Sequence, residues 1–438
     1  MKPAKHGKSN KCLGVGRGEG FAAFALLARG KRYWKHSAGV LLVLLFFPAL
    51  TTGKEIGPEA NFCAEINALE PGDELVLRGG KYQGPCTIRR GGRPGAPTII
   101  RAANLSHRPW IVYEAQSDNV LNIRADYVTI RGLNIGPTQT DVDGIRIYAR
   151  NGITIEDCQF SEMGGIAVVA NHNSARGLIV RRNIIANTLA TAMYFGCHDG
   201  SSCVISELFI EKNFIRGVSA PDPAIGYGIQ VKLNSVGILR NNVIVGAKGP
   251  GIMVYGTHNL NLRNVVEGNF VANSRTSSGI VVGGGPADVW NNISVENREA
   301  GIGIQDYMGR GLLRKISIDH NTIYNNSQSG IAVRSQGEVD VTISNNAIAS
   351  RSGTPELPAM QDGLKMFANQ DCGANNCFTN PEQRDFTPQA DSPLNTARNG
   401  NDRSRNPDRD YFGLRRSPSS AVGAIERPGG VVVLGIKH

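Results

Sequence analysis

The sequence predicts an all-β solenoid, in which short strands coil into a parallel β-helix. Two strand-like units alternate through the middle of the 438-residue chain, and the first of them recurs at steps of 23–30 residues. The chain also contains 53 Gly and only 6% aromatic residues, which is typical of many short strands joined by tight turns. Its hydrophobic fraction of 41% is sufficient for a continuous core, so wholesale disorder is excluded.

The first unit places an Asn two residues before an apolar position, as in IVRRNII around Asn183. The recurring positions are Asn183, Asn213, Asn242, Asn269, Asn292, Asn321 and Asn346, with Cys158 in the same place one coil earlier. Equivalent positions of successive coils stack in a solenoid, so we expect these Asn side chains to form a ladder at one corner. Asn also tolerates the left-handed backbone that a sharp corner requires.

The second unit is a five-residue segment of the form Gly-Ile-x-Val-x. It recurs at 144–148, 165–169, 192–196, 228–232, 251–255, 279–283, 301–305 and 330–334. Both units alternate apolar with other residues, which is strand periodicity. No helical pattern separates them, so βαβ units are excluded, and the LxxLxL pattern of leucine-rich repeats is missing. Stacked coils about 4.8 Å apart would bury the apolar positions.

These repeats resemble those of the right-handed parallel β-helix superfamily, the pectin-lyase-like fold, over roughly 60–350. The segment PGDELVLRGGKYQGPCTI (71–88) resembles the first coils of secreted lyases related to chondroitinase B and the alginate lyases. The segments at 385–397 and 422–426 resemble the closing element of bacterial β-helix proteins. The resemblance therefore implies a right-handed solenoid, but it is weak evidence for one particular reaction.

The first 53 residues are predicted to be a leader. Residues 39–50 (GVLLVLLFFPAL) are apolar, follow a basic segment and precede small residues, which is typical of a secretory signal. Twelve apolar residues are fewer than the ~20 that span a bilayer, although an uncleaved membrane anchor is the alternative. We expect the β-helix at 54–350 and a capping segment at 351–438, which lacks the repeat.

Charge is concentrated in this leader. The formal net charge is +10, but residues 1–53 hold nine basic residues and one acidic residue, which leaves 38 basic and 36 acidic residues for 54–438. Because phosphate binding requires concentrated positive charge, a nucleic-acid partner is not expected. We expect a monomer in a secreted or periplasmic location that meets a membrane only through an uncleaved leader.

The cysteine spacing supports export. Cys63 with Cys86, Cys197 with Cys203, and Cys372 with Cys377 are placed to form three disulfides, and Cys158 is left over at a core position. Three bridges suit an oxidising compartment. The alternative is that these cysteines are small buried apolar residues. The spacing of structural zinc sites is absent.

Each Gly-Ile-x-Val-x segment should point its third and fifth residues outward. The predicted third-place column is Arg146, Ala167, Tyr194, Gln230, Met253, Val281, Gly303 and Ala332, and the fifth-place column is Tyr148, Val169, Gly196, Lys232, Tyr255, Gly283, Gln305 and Arg334. Tyr194, Gln230, Lys232 and Tyr255 fall on adjacent coils of one face. Longer loops follow the neighbouring strands, so Lys232 should lie at the base of a cleft.

This constellation favours lyase chemistry on an extended anionic polysaccharide. Elimination from a uronate requires a base, an acid for the leaving oxygen and a group that neutralises the carboxylate. Lys232 is the predicted base, a role that Lys or Arg often takes in the β-helix lyases that the chain resembles. Tyr255 is the predicted acid, and Tyr194 and Gln230 are predicted substrate contacts. His198, Asp199, Asn234 and His258 lie on loops where they would bind sugar or tune Lys232.

Other interpretations remain open. Asp199, Asp222 and Glu207 are candidate oxygen ligands for Ca²⁺, although the sequence contains no dense acidic cluster and establishes no cofactor. A glycoside hydrolase would need two carboxylates in one cleft, for which Asp141 and Asp143 are the candidates. An epimerase begins with the same proton abstraction as a lyase. A non-catalytic carbohydrate-binding protein needs only the aromatic and polar column, and Arg334 and Asp306 belong either to the site or to a solvated face.

Overall fold

The computed structural model describes residues 53–350, 356–373, 377–395, 407–416 and 421–426. Nearly all of the predicted leader, residues 1–52, lies outside these described residues. Within them, no helix is long and apolar enough to span a membrane. The described chain is built almost entirely from short strands, as predicted.

Three parallel sheets contain nearly all of the strands. The 13-stranded sheet consists of Lys54–Ile56, Glu74–Leu77, Thr98–Ala102, Val128–Arg131, Thr154–Glu156, Ala175–Arg181, Ile205–Glu211, Gly237–Arg240, Asn264–Glu267, Ala287–Trp290, Ile316–Asp319, Val341–Ser344 and Leu364–Phe367. The 12-stranded sheet consists of Gly80–Gln83, Pro109–Val112, Asn134–Ile135, Gln159–Met163, Ile184–Thr188, Phe214–Val218, Val243–Val245, Phe270–Ala272, Ile293–Val295, Thr322–Tyr324, Ala347–Ala349 and Gln370–Asp371. The 10-stranded sheet consists of Cys86–Ile88, Leu121–Ile123, Ile145–Ile147, Val168–Ala170, Met193–Phe195, Ile229–Val231, Ile252–Val254, Ile280–Val282, Ala300–Gln305 and Ser329–Arg334.

The remaining elements are short and lie outside the three sheets. They are the α-helix Phe62–Ile66, the 3₁₀ turns Tyr307–Gly309, Pro381–Gln383 and Pro393–Asn395, and an antiparallel pair formed by Phe378–Asn380 and Asp385–Pro388. Asn61 caps the α-helix by accepting a hydrogen bond from the Ala64 amide. Phe62 and Ile66 of this helix join the core.

Each coil runs through the 13-stranded, the 12-stranded and then the 10-stranded sheet, and each strand pairs in parallel with its counterpart one coil later. Strand Ile229–Val231, for example, pairs with Met193–Phe195 on one side and Ile252–Val254 on the other. Inward residues of all three sheets form one apolar core, in which Ile, Val and Leu predominate. The predicted parallel β-helix is therefore confirmed.

The corner between the 13-stranded and 12-stranded sheets contains the predicted asparagine ladder. The Nδ2 of Asn242 donates to the Ile210 carbonyl at 2.9 Å and to Oδ1 of Asn269 at 2.9 Å, and its backbone amide donates to the same Oδ1 at 3.0 Å. The ladder members are Asn183, Asn213, Asn242, Asn269, Asn292, Asn321, Asn346 and Asn369. Asn369 continues the predicted series by one coil, and the Cys158 amide donates to Asn183 at its start.

The ladder asparagines do not adopt the left-handed backbone that was expected at this corner. The left-handed residue is the one that precedes each ladder position, as at Arg182, Lys212 and Asn241, with φ of 54°, 56° and 55°. The ladder asparagines themselves are not among the residues with positive φ in the described chain. Their amides are needed for hydrogen bonding between coils, and the preceding residue makes the turn.

The C-terminal part contributes both a further coil and an external layer. Leu364–Phe367 and Gln370–Asp371 extend two of the sheets, so the solenoid continues past the predicted boundary at 350. Beyond this coil, Phe378, Phe386, Leu394 and the segment 422–425 pack on outward residues of the 12-stranded sheet. This layer covers apolar side chains that would otherwise face water.

All three predicted disulfides are present, and they join Cys63 to Cys86, Cys197 to Cys203, and Cys372 to Cys377. Cys158 is free and buried, as expected, and burial raises the pKa of its thiol to about 12. The first bridge ties the α-helix to the first strand of the 10-stranded sheet.

Candidate functional site

Lys232 follows strand Ile229–Val231 and lies on the outward side of the 10-stranded sheet, as predicted. It is not solvated, however, since only 2% of the residue is exposed. Gln230 and Tyr255, which occupy the same face, are 3% and 2% exposed. Loops that leave the neighbouring coils fold back over this face, so an outward position here is a buried one.

The register of one coil differs from the prediction. Arg146 pairs with Val169, and Val169 with Tyr194, so Val169 belongs to the third-place column and Ala167 to neither column. The position next to Gly196 in the fifth-place column is Asn171. Phe160 pairs with Ile185 and Val168 with Met193, so the turn has the same length in these two coils and the strand begins two residues later than the Gly-Ile match at 165–166 predicts. The columns from Tyr194 onward are as predicted.

The Lys232 ammonium lies among aromatic rings. Its Nζ is 3.2 Å from Nδ1 of His198, 4.1 Å from the centroid of the Tyr255 ring and 5.5 Å from that of Tyr194. Burial, assisted by the positive charge of Arg310, lowers the pKa of Lys232 from 10.5 to about 8. No carboxylate of the described residues forms an ion pair with it, so a neutral amine is accessible close to neutral pH.

Tyr255 presents its ring, and not its hydroxyl, to Lys232. The hydroxyl is 3.3 Å from that of Tyr227 and accepts a hydrogen bond from Nε2 of Gln230 at 3.0 Å. Burial, followed by the neighbouring Tyr227, raises the pKa of Tyr255 strongly. Tyr194 is half-buried, and burial raises its pKa to about 12. We call Lys232, Tyr194, Tyr227, Gln230 and Tyr255 the lysine cluster.

The loop 306–314 covers the lysine cluster. Tyr307 meets Tyr255 edge to face with ring centroids 4.7 Å apart, and Leu312 is buried in the same small apolar group as Met253. Arg310 follows the 3₁₀ turn and holds its guanidinium 5.2 Å from the Tyr307 ring centroid. The loop thus supplies both an apolar cover and a second cation to the site.

A second loop, closed by the Cys197–Cys203 disulfide, holds His198 against Lys232. Asp199 does not face the lysine; its carboxylate accepts hydrogen bonds from the Ser202 hydroxyl and from the Ser201 and Ser202 amides, which lower its pKa to about 2. Asp199 therefore shapes the loop, while His198 is exposed at its tip.

Asn234 joins this disulfide loop to the next one. Its Nδ2 donates to the Gly200 carbonyl at 2.7 Å, and its Oδ1 accepts from the His258 amide at 3.0 Å. Nδ1 of His258 lies 3.1 Å from the same Oδ1. Asn234 and His258 thus hold the two loops together, and no contact joins them directly to Nζ of Lys232.

A cavity of about 650 Å³ lies on the other side of Tyr307. It is lined by Gln305, Asp306, Tyr307, Met308, Gly309, Arg334, Ser335 and Gln336. Gln305 and Arg334 are the last two members of the fifth-place column. Its lining combines polar side chains with Tyr307 and Met308. Arg334 and Asp306, which the sequence left unassigned, both line it.

The remaining acidic candidates do not come together. Asp222 pairs with Lys248 and Glu207 with Arg176, while Asp199 caps its own loop. Within the described residues, no group of three or more Asp, Glu, His or Cys side chains is arranged to hold a metal ion.

The two carboxylates proposed for a hydrolase also have separate environments. The Asp143 carboxylate is buried, accepts from the Ile166 amide at 2.8 Å and pairs with Arg146. Asp141 is exposed and has a left-handed backbone with a φ of 62°. Asp143 thus has a structural role in the turn between coils.

The sequence did not identify four residues of the site, which are Tyr227, Tyr307, Arg310 and Leu312. Tyr227 precedes strand Ile229–Val231. The other three belong to the long loop QDYMGRGLLRK (305–315), and the length of this loop was the one signal in the sequence that it contributes to the site. Nothing in the repeat predicts which loop residues fold back over the sheet.

The chain belongs to the right-handed β-helix family, whose model matches residues 143–310 and 196–380. No curated protein is significantly similar to it in sequence. Among solved structures it is similar to a PL6 family polysaccharide lyase from Pseudopedobacter saltans, with 13% identity and a TM-score of 0.48 over 77% of this chain and 96% of that one.

Two further similarities are of the same order. An alginate lyase from Paenibacillus sp. str. FPU-7 is 18% identical, with a TM-score of 0.46 over 72% of this chain and 99% of that one. The pectate lyase Pel9A is 15% identical, with a TM-score of 0.43 over 86% and 97% of the two chains. At these identities and TM-scores the likenesses say nothing about the substrate of this chain.

Proposed function

We propose that this protein is a secreted or periplasmic lyase that cleaves a uronic-acid-containing polysaccharide by β-elimination, with Lys232 as the base. The observation that carries this proposal is Lys232 itself, a buried lysine that pairs with no carboxylate of the described residues and has a pKa lowered to about 8. A surface lysine is almost always protonated at neutral pH and cannot accept a proton. A lysine in this environment is partly neutral and can act as a general base.

The reaction removes the proton on the carbon that bears the carboxylate. As that C–H bond breaks, its electron pair forms a carbon–carbon double bond, the glycosidic C–O bond on the adjacent carbon breaks, and the leaving oxygen takes a proton from water. Negative charge gathers on the carboxylate during this step. Arg310 is the proposed neutralising group, and its effect on the pKa of Lys232 supports this because it shows that the two cations are close together.

The acid role expected for Tyr255 requires its hydroxyl at the leaving oxygen. In this structure the hydroxyl faces Tyr227 and Gln230 beneath the loop 306–314, so that role would require the loop to move. We therefore propose that Tyr255 acts chiefly through its ring, which excludes water from Lys232 and lies beside its ammonium.

The cavity beside Tyr307 is the proposed place for neighbouring sugars of the polymer. Its volume of about 650 Å³ lies within the usual range of ligand pockets. The resemblance of 71–88 to secreted polysaccharide lyases and the three disulfides support the same assignment and an extracytoplasmic location. We propose that the protein acts as a monomer, because one chain supplies every residue of this site.

The test is a screen of alginate, pectate and glycosaminoglycan polymers for the ultraviolet absorbance of unsaturated uronate. Wild type should form this product from one of them, and Lys232→Met should form none while remaining folded, with an unfolding temperature no lower than that of wild type. Lys81→Met is the matched control, since Lys81 is exposed, lies on another sheet and also faces an aromatic ring, that of Trp110. It should retain full activity.

The screen also separates the alternatives. Binding of a polymer without any product would replace the lyase by a carbohydrate-binding protein. Isomerised sugar without an unsaturated end would indicate an epimerase. A saturated reducing end would indicate a hydrolase, which the engaged Asp143 does not favour.

A further inference from the structure

Lys232 is buried and His198 is exposed, yet their nitrogens are in contact. Nζ of Lys232 and Nδ1 of His198 are 3.2 Å apart, and only 2% of Lys232 is accessible. A polymer on the surface of the solenoid meets the imidazole before it meets the amine. This arrangement raises the question of how a buried base obtains a proton from a substrate outside.

We propose that His198 is a further catalytic residue, which takes the proton from the substrate and passes a proton on to Lys232. This inference rests on the lyase function proposed above. It changes the expected role of His198 from a sugar contact to a member of the proton path, and it makes Lys232 the final acceptor.

The two nitrogens share one hydrogen, which couples their states. When Lys232 is an ammonium it donates to Nδ1, so the imidazole hydrogen must be on Nε2. When Lys232 is a neutral amine it can accept from Nδ1–H, and Nε2 then has a free lone pair on the far side of the ring. Only this second state offers an exposed base.

The transfer balances without any further reagent. Nε2 takes the substrate proton while Nδ1–H passes its proton to the lone pair of Nζ, so the imidazole ends neutral with the opposite tautomer and Lys232 ends as an ammonium. The electron pair of the broken C–H bond forms the double bond and expels the leaving oxygen, which is protonated by water. The reverse transfer to solvent restores the neutral amine.

The surroundings suit such a relay. The charged and titratable groups that face the pair are Arg310 from the covering loop and Tyr194 and Tyr255 from the adjacent strands, while the Asp199 carboxylate bonds within its own loop and its charge acts on Tyr194. Arg310 disfavours a permanent ammonium at Lys232, and the two rings exclude water. The Cys197–Cys203 disulfide and the bond from Asn234 to Gly200 hold the His198 loop in place. The geometry is therefore fixed before substrate binds.

Kinetics of two substitutions test the relay. His198→Gln can still hydrogen-bond but cannot exchange a proton between two nitrogens, so kcat should fall by about 10²–10⁴ with little change in KM. His198→Ala should show a similar loss, and added imidazole should restore part of it. A raised KM at unchanged kcat would overturn the proposal, since His198 would then be a sugar contact only.

A measurement without substrate separates this proposal from the lyase function. In ¹⁵N spectra of the imidazole, the His198 hydrogen should move from Nε2 to Nδ1 as pH rises through the titration of Lys232. In Lys232→Met this change of tautomer should be absent. If both proteins keep the same tautomer throughout, the relay is wrong even if the enzyme is a lyase. If the tautomer changes but no polymer yields unsaturated product, the proposed function fails and the coupled pair stands.

Discussion

Asn242 and Lys232 lie ten residues apart on two successive coils, and the fold buries both. Asn242 is fully buried, and its amide donates both to the preceding coil and to the following one. Lys232 is 2% exposed, and the partners of its ammonium within the described part of the chain are the His198 ring nitrogen and two aromatic ring faces. The asparagine ladder is thus satisfied and repeated on successive coils, whereas the lysine cluster is built once, around the one lysine of the outward column.

The difference shows how burial serves two purposes in one solenoid. A buried polar group that makes all its hydrogen bonds contributes to stability, because bonds within the protein replace those that the group made to water in the unfolded chain. Burial of a cation without an anion destabilises the fold and lowers the pKa of that cation. A lysine whose pKa is lowered in this way is partly neutral and can act as a base. The ladder should therefore govern folding and the cluster should govern turnover.

The largest expected effect belongs to Lys232→Arg. A guanidinium retains the positive charge but stays protonated at any working pH, so kcat should fall by at least about 10³. The melting temperature should change little, because the site already accommodates a cation. Steady-state kinetics of the unsaturated product check this. Full activity with Arg would make Lys232 an electrostatic group and not a base.

Asn242→Ala should have the opposite profile. It leaves the Ile210 carbonyl and two N–H groups of Asn213 without partners, and each costs about 1–3 kcal/mol. We expect the free energy of unfolding to fall by about 3 kcal/mol, with kcat per folded molecule unchanged. Asn104→Ala, at an exposed turn, should cost less than about 1 kcal/mol. Denaturant titration of both variants measures the free energy of unfolding. Equal losses would show that a ladder asparagine stabilises the fold no more than an asparagine at an exposed turn.

A smaller effect is expected at Tyr255. Tyr255→Phe keeps the ring against Lys232 and removes only the hydroxyl, so kcat should fall less than about tenfold. Tyr255→Leu removes the ring face and should cost more, since a cation beside an aromatic ring gains about 0.5–2 kcal/mol. Comparing kcat of the two variants shows whether the ring or the hydroxyl of Tyr255 contributes to turnover. A loss with Phe as large as that with Leu would return Tyr255 to the role of acid.

The smallest expected change concerns stability against pH. The folded pKa of Lys232 is lowered from 10.5 to about 8, so the unfolded chain binds more protons between these values. Wild type should therefore gain stability relative to Lys232→Met as pH rises from 8 to 10.5, and the difference should be constant below 8. Paired denaturant titrations across this range measure it, and a difference that falls with rising pH would contradict the lowered pKa.

The sequence was sufficient for the ladder and for the columns from Tyr194 onward, because both repeat with every coil. It failed at 165–169, where a Gly-Ile pair lies in the turn and the strand itself begins two residues later, in register with Met193. It also identified Lys232 as outward but not as buried. Burial there depends on Tyr307, Arg310 and Leu312, which belong to a loop without any period, and loop conformation is not encoded in a repeat pattern.

The most direct test of the account is the pKa of Lys232 itself. Titration of ε-¹³C-labelled lysine followed by NMR, with the Lys232 signal assigned by its absence in Lys232→Met, gives this value without any substrate. The account predicts a midpoint of about 8, well below the ordinary lysine value of 10.5. If Lys232 titrated with the same midpoint as the surface lysines, the lysine cluster would not destabilise the ammonium. Lys232 would then not be the base.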